Sequence, residues 1–218
     1  MKKLIFILMV GSLCANEEQY AELTAFSFDM KPYKISLNIV MENNIPTEKV
    51  AINFTNSIYN YSIYLGKEQR KQLVDFYEKY EKWKKVAFEN KVSHLKQIGI
   101  INEVEIYFNY VGSNDWNIGH NTYISVNADV GERNGVGLIF PELTSTSNEF
   151  ISADGALLLF QEPSNMGLQE INNLVSKLGI SSPKEFIIDN LDETNLIKIR
   201  KILLEKGKEK KNIDSLFE

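Results

Sequence analysis

Tyr33-Lys34-Ile35-Ser36-Leu37-Asn38-Ile39-Val40-Met41 carries the period that decides the fold. Tyr33, Ile35, Leu37, Ile39 and Met41 face one way and Lys34, Ser36 and Asn38 the other, the two-residue repeat of a strand buried on one face. Asn43-Asn44-Ile45-Pro46 breaks the pattern. Two more strands are expected over 50–54 and 58–65, the second carrying Tyr59, Tyr61 and Tyr64. Three short strands with polar turns predict an antiparallel meander.

The period then changes. Leu73, Phe76, Tyr77, Tyr80, Trp83 and Ala87 recur at spacings of three and four, one stripe down a helix from about 67 to 92. On the other face Asp75, Glu78 and Glu81 stand four residues ahead of Lys79, Lys82 and Lys85, the favourable order for ion pairs. The stripe reads as core covering the sheet, since burying such rings contributes about 1.5–3 kcal/mol each. His94, just past this helix, reads as structural.

Alternation returns in Val104, Ile106, Phe108 and Tyr110, then over 123–128 and 136–140, with Asn134-Gly135 as the signal for the tight turn between the last two. The wholly apolar stretch 156–160 predicts a central strand. Helices follow. Leu168, Ile171, Leu174, Val175 and Leu178 form one apolar face, with Gly179 placed to cap it. Ser182-Pro183-Lys184-Glu185 has the form of a capping box. Asn190 with Glu193 repeats that logic for a last helix bearing Leu196, Ile199, Ile202 and Leu203 and ending at Gly207, before the basic stretch Lys206 to Lys211. The expectation is an α+β fold: a largely antiparallel sheet of about seven strands, one long amphipathic helix packed on it, and a C-terminal helical subdomain. The boundaries are a signal peptide over 1–15, an α+β domain over 16–163, the helical subdomain over 164–206 and a charged tail over 207–218.

Lys2-Lys3, the apolar run Leu4 to Val10 and the small residues Gly11-Ser12 compose a secretory signal peptide, too short for the roughly 20 apolar residues of a membrane span. Export to the periplasm or the medium is the expected fate. Removing those fifteen residues takes two of the 24 basic side chains and no acid, leaving 22 against 29 acidic, a net charge of −7. An acidic exported chain is a poor binder of nucleic acid, which needs clustered positive charge. Cys14 is the only cysteine. It is either removed with the signal or lipidated as in bacterial lipoproteins, and Leu13, bulky where such proteins carry a small residue, favours simple cleavage. The folded part then has no disulfide, cysteine–zinc site or cysteine nucleophile.

Chemical motifs are sparse. His94 and His120 match no zinc-enzyme spacing, and no G-x-S-x-G elbow occurs. Gly135-Val136-Gly137 is followed by strand residues, with no helix N-terminus to hold an anion. Asp129, Glu132 and Asn134 lack the spacing of a calcium loop. Neither a metal nor a cofactor is assigned. If 104–111, 121–128 and 136–140 form a meander, their loops alternate between ends roughly 25 Å apart. Asp129, Glu132 and Arg133 then lie far from Asp115 and His120, whereas the loop 142–154 returns to the His120 end. The expected surface is Asp115, Trp116, Asn117 and His120 beside Glu142, Thr144, Ser145, Glu149 and Asp154. An indole among carboxylates and amides suits a protein, small-molecule or glycan partner at the envelope. The leading expectation is therefore a non-catalytic binding or accessory protein. The rival is a periplasmic or secreted hydrolase using Asp115 and His120.

Overall fold

The computed structural model describes residues 16–120, 122–162 and 177–214. Residues 1–15, expected to be a signal peptide, and the stretch carrying Leu168, Ile171, Leu174 and Val175 lie outside them. In chain order the elements are β1 (Asn16–Phe26), β2 (Pro32–Glu42), β3 (Ile45–Thr55), β4 (Tyr59–Leu65), α1 (Lys67–Asn90), β5 (His94–Asn102), β6 (Glu105–Tyr110), β7 (Asn117–Ile118), β8 (Tyr123–Val130), β9 (Asn134–Phe140), β10 (Leu143–Thr144), β11 (Ser152–Ala153), β12 (Ala156–Glu162), a π-helical turn (Glu185–Asp189) and α2 (Glu193–Asp214). Ten strands form one antiparallel sheet, ordered β5-β8-β9-β12-β1-β2-β3-β4-β6-β7, and β10 pairs with β11.

The α+β character and the antiparallel sheet are as expected, but about seven strands was too few, and a second long helix is present. β1, which reads Asn-Glu-Glu-Gln-Tyr-Ala-Glu-Leu-Thr-Ala-Phe, has a helix-like composition. It is a strand because β2 pairs with it along its whole length while Leu23 and Ala25 point into the core. Strand preference depends on such neighbours more than on the residue itself. β5 was missed because its first four residues are exposed and a register shift between Gln97 and Gly99 breaks the alternation.

The sheet curls into a half-barrel. β3 and β9 stand four places apart, about 19 Å in a flat sheet, yet the rings of Phe54 and Phe140 are 5.9 Å apart. β5 is one end of the strand order and β6 is next to the other end, yet Asn102 and Glu105 are three Cα steps apart, at most about 11 Å. Glu103 lies in this connection with φ +56°.

Helix α1 fills the inside of the curl, against β5, β8, β9 and β4. Leu73, Tyr77, Tyr80 and Ala87 are buried as expected, whereas Phe76 and Trp83 are half-buried and packed at the margin of the core. Trp83 is flanked by Lys79 and Lys96, with Nζ 5.0 and 5.8 Å from its ring centre. The Phe76 ring lies so close to β5 that a Cβ on Gly99 would sit 2.2 Å from its Cζ, so any side chain there would have to displace the ring. Lys79 reaches the Ile98 carbonyl, and Glu81 pairs with Lys84. The arrangement differs from the i,i+4 pairs expected.

Among the described residues, much of the C-terminal segment packs into the main core. Phe186, Ile187, Leu191, Leu196 and Leu203 belong to the main cluster, and Phe186 stacks on Phe160 at 4.0 Å. Gly179 is left-handed (φ +60°) directly after helical Leu178, and Ser182 Oγ accepts from the Glu185 N–H at 3.1 Å, both as the sequence predicts. Three details differ. Asp192, not Asn190, caps α2, accepting from the Thr194 N–H at 2.9 Å. The helix runs through Gly207 to Asp214, so the expected tail is helical over most of its length. The β8–β9 turn uses Gly131 (φ +112°), and Asn134-Gly135 lies inside β9.

Arg70, on α1, is the largest fully buried side chain. Its Nη1 donates to Glu193 Oε2 at 2.8 Å and its Nη2 to the Glu48 carbonyl at 2.8 Å. Glu193 also accepts from Arg200. Three elements are thereby tied: α1, β3 and α2. Burial pushes the Glu193 carboxyl up, but the hydrogen bonds from Arg70 and Arg200 outweigh it and hold the group below its ordinary range.

Candidate functional site

The loop between β6 and β7 is held by its own backbone. Val111 N–H donates to the Ile58 carbonyl and Ser113 N–H to the Tyr110 carbonyl, while Asn109 Nδ2 donates to the Ser113 carbonyl at 2.8 Å. Gly112 takes φ +89°, a conformation open to glycine at little cost. Ser113 Oγ accepts the Asp115 N–H at 3.0 Å. This pinned turn delivers Trp116 to the rim of β6.

The loop after β9 comes to the same end. Gly119 bridges to Ser145, His120 N–H donates to the Thr144 carbonyl at 2.9 Å, and Thr146 N–H to the Ile118 carbonyl at 2.8 Å. So the structure places Asn117 and His120 beside Thr144 and Ser145, with Glu142, Glu149 and Asp154 along the same loop. Asp115, His120, Glu142, Glu149 and Asp154 are exposed, Trp116 and Asn117 are half-buried, and Ser145 is buried with its Oγ 3.0 Å from that of Ser147. Among the described residues no hydrogen bond joins Asp115 to His120, and no group of three or more His, Asp or Glu is placed to hold a metal. No helix among them is long and apolar enough to cross a membrane.

Trp116 has a different set of neighbours. It walls an open groove of about 690 Å³ on the outer face of β1–β4, whose other borders include Glu17, Glu22, Lys34, Ser36, Asn53, Thr55, Asn60 and Ser62. Asp115, Asn117, His120, Glu142 and Glu149 do not line it. The register explains the floor. Glu22 faces Ser36, Ser36 faces Asn53 and Asn53 faces Ser62, one row straight across four strands, with Thr55 facing Asn60 in the next. Side chains in one row share a face. Ser36, Asn53, Thr55, Asn60 and Ser62 are short, so the row is a trough between the longer Trp116 and Glu17.

The trough is organised by its own hydrogen bonds. Glu17 accepts at Oε2 from Asn38 Nδ2 (2.6 Å) and Asn53 Nδ2 (2.7 Å), and at Oε1 from the Tyr64 hydroxyl (2.6 Å). Ser62 Oγ donates to Asn53 Oδ1 at 2.6 Å. Thr55 donates to Asn60, which donates to Asn109, which donates to the Ser113 carbonyl of the Trp116 loop, each at 2.8 Å. The first set holds Glu17 over the floor, and the second ties the floor to the loop that carries Trp116. At the mouth Lys34 pairs with Glu22 at 2.7 Å, both exposed.

Sequence reasoning singled out Trp116 but missed the floor. The signal was present in the polar positions of the opening strand, Lys34, Ser36 and Asn38, and in Asn53, Thr55, Asn60 and Ser62, which repeat the same alternation. Polar residues on an outer strand face ordinarily mean solvent alone. Comparison with protein-family models, with curated proteins and with solved structures finds no match.

Proposed function

We propose that the protein is exported and serves as a non-catalytic binding protein of the cell envelope, taking its ligand in the outer-face groove beside Trp116. The N-terminal basic-then-apolar segment supports export. One observation carries the binding reading: the indole singled out from sequence walls a groove of small-molecule size, whose polar floor is held in place without any ligand. Small-molecule sites span about 300–1,000 Å³, and such preorganisation lowers the ordering cost of binding. The exposed Asp115 and His120, unlinked to each other and outside the groove, give no comparable support to hydrolysis.

The test uses Trp83→Phe protein, in which Trp116 is the sole indole. Titration with a chemically mixed set of soluble ligands should give a saturable change in Trp116 emission for at least one class. Trp116→Ala should weaken that binding with little change in thermal midpoint. A ligand bound with equal affinity by both proteins would refute the site.

A further inference from the structure

Resting on that reading, we infer that the groove binds an uncharged glycan chain. The ligand must match four properties of the trough at once. Its floor offers hydroxyls and amides, Ser36, Asn53, Thr55, Asn60 and Ser62, groups that both donate and accept. Sugar hydroxyls need that mixture. The amides of Asn53 and Asn60 each use one N–H and one lone pair within the floor, and an apolar ligand would cover the remaining ones and return no hydrogen bonds.

Charge excludes two further classes. Glu17 and Glu22 face the groove against Lys34, the one cation among the described lining residues, which Glu22 already holds, so phosphates and polyanions are repelled. Glu17 does not wait for a cation either. Three of its roughly four acceptor sites are filled by Asn38, Asn53 and Tyr64. A peptide adding as a strand needs a free sheet edge, whereas this trough lies on a sheet face where β2, β3 and β4 are paired to one another.

Shape completes the match. A pyranose presents an apolar C–H face and a rim of hydroxyls, and Trp116 stands at the wall where such a face can stack while the rim meets the floor. The row from Glu22 to Ser62 crosses four strands, about 14 Å, enough for more than one ring. The groove is open to solvent, as a chain ligand requires.

The experiment titrates the Trp83→Phe protein with glucose and N-acetylglucosamine hexasaccharides of differing linkage. A heparin fragment, a lysine-rich peptide and a nonionic detergent below its critical concentration serve as the other classes. Emission of Trp116 and calorimetry are both read. At least one hexasaccharide should bind saturably, with affinity unchanged between 0.05 and 0.5 M salt (working concentrations spanning a few-fold change in screening length, roughly 4 to 14 Å). Trp116→Ala should weaken it roughly tenfold or more, and Trp116→Phe should restore most of the loss. Ser36→Tyr, which fills the trough without touching the indole, should weaken it similarly, so the test survives a poorly folded Trp116→Ala. Failure of every hexasaccharide overturns the glycan assignment. If heparin, the peptide or the detergent instead gives the Trp116-dependent response, the class is wrong and the site stands. A hexasaccharide bound equally by wild type, Trp116→Ala and Ser36→Tyr overturns the groove itself.

Discussion

Replacing Glu193 by Gln should be among the most damaging single changes available on the helical side of the molecule. Arg70 is 1% exposed, and its carboxylate partner among the described residues is Glu193, 29% exposed, at 2.8 Å, which also neutralises Arg200. The substitution keeps the size of the side chain but leaves two guanidinium groups facing a neutral amide. Removing one partner from a buried pair costs about 3–5 kcal/mol, a large share of the roughly 5–15 kcal/mol that stabilises a domain. For a chain of this length each kcal/mol moves the thermal midpoint by about 2–4 °C, so a fall of roughly 6–20 °C is expected. Glu22→Gln is the control. Glu22 pairs with Lys34 at a similar distance, but the two side chains are 56% and 80% exposed, and such a pair is worth about 0–1 kcal/mol. Urea unfolding of wild type and both variants at pH 7 measures the difference. A second arm follows pH. The Glu193 carboxyl binds its proton less tightly in the folded chain than in the unfolded one. Its stabilisation is therefore complete above the ordinary value of about 4.5 and is lost as pH falls through the lower folded value. Wild type and Glu193→Gln should converge in stability below that point. If Glu193→Gln costs no more than Glu22→Gln at pH 7, the reasoning from burial is refuted.

Gly99→Ala should destabilise by about 1–3 kcal/mol, because the new methyl group meets the Phe76 ring, whereas Gly207→Ala, with open space around it inside α2, should stabilise by about 0.5–1 kcal/mol; chemical denaturation decides both. Trp83→Ala should cost about 1.5–3 kcal/mol, less than a fully buried indole, since Trp83 sits at the core margin between Lys79 and Lys96; a cost above 4 kcal/mol would place it in the core proper. Protein recovered from its native cell should lack about the first fifteen residues by intact mass, and full-length chain in the cytoplasm would exclude export, while a diacylglycerol adduct on Cys14 would replace simple cleavage by lipid anchoring.

Local periodicity determined much of this fold. The alternation in β2, the three-and-four spacing of α1, the apolar run of β12 and the Ser182 cap are each set by residues within one or two turns of one another, so they are legible in sequence. The His120 and Thr144 loops do meet, but not by the route the sequence implied: β6 pairs with β4 and β7, and β8 with β5 and β9, so 104–111, 121–128 and 136–140 form no meander. Tertiary structure alone decided the rest. β1 and β5 are strands only because β2 and β8 pair with them against a helix-like composition in one and a broken period in the other. Arg70 reads as one more charge on a helix until Glu193, 123 residues later, meets it in the core. The groove follows the same rule. Ser36, Asn53 and Ser62 are each an ordinary polar residue on an outer face, and the strand period says which face but not which neighbour. Register between strands set side by side makes them one row, and a loop from beyond β6 stands Trp116 against it. Such a site is a property of pairing across the sheet, which no local pattern in the chain encodes.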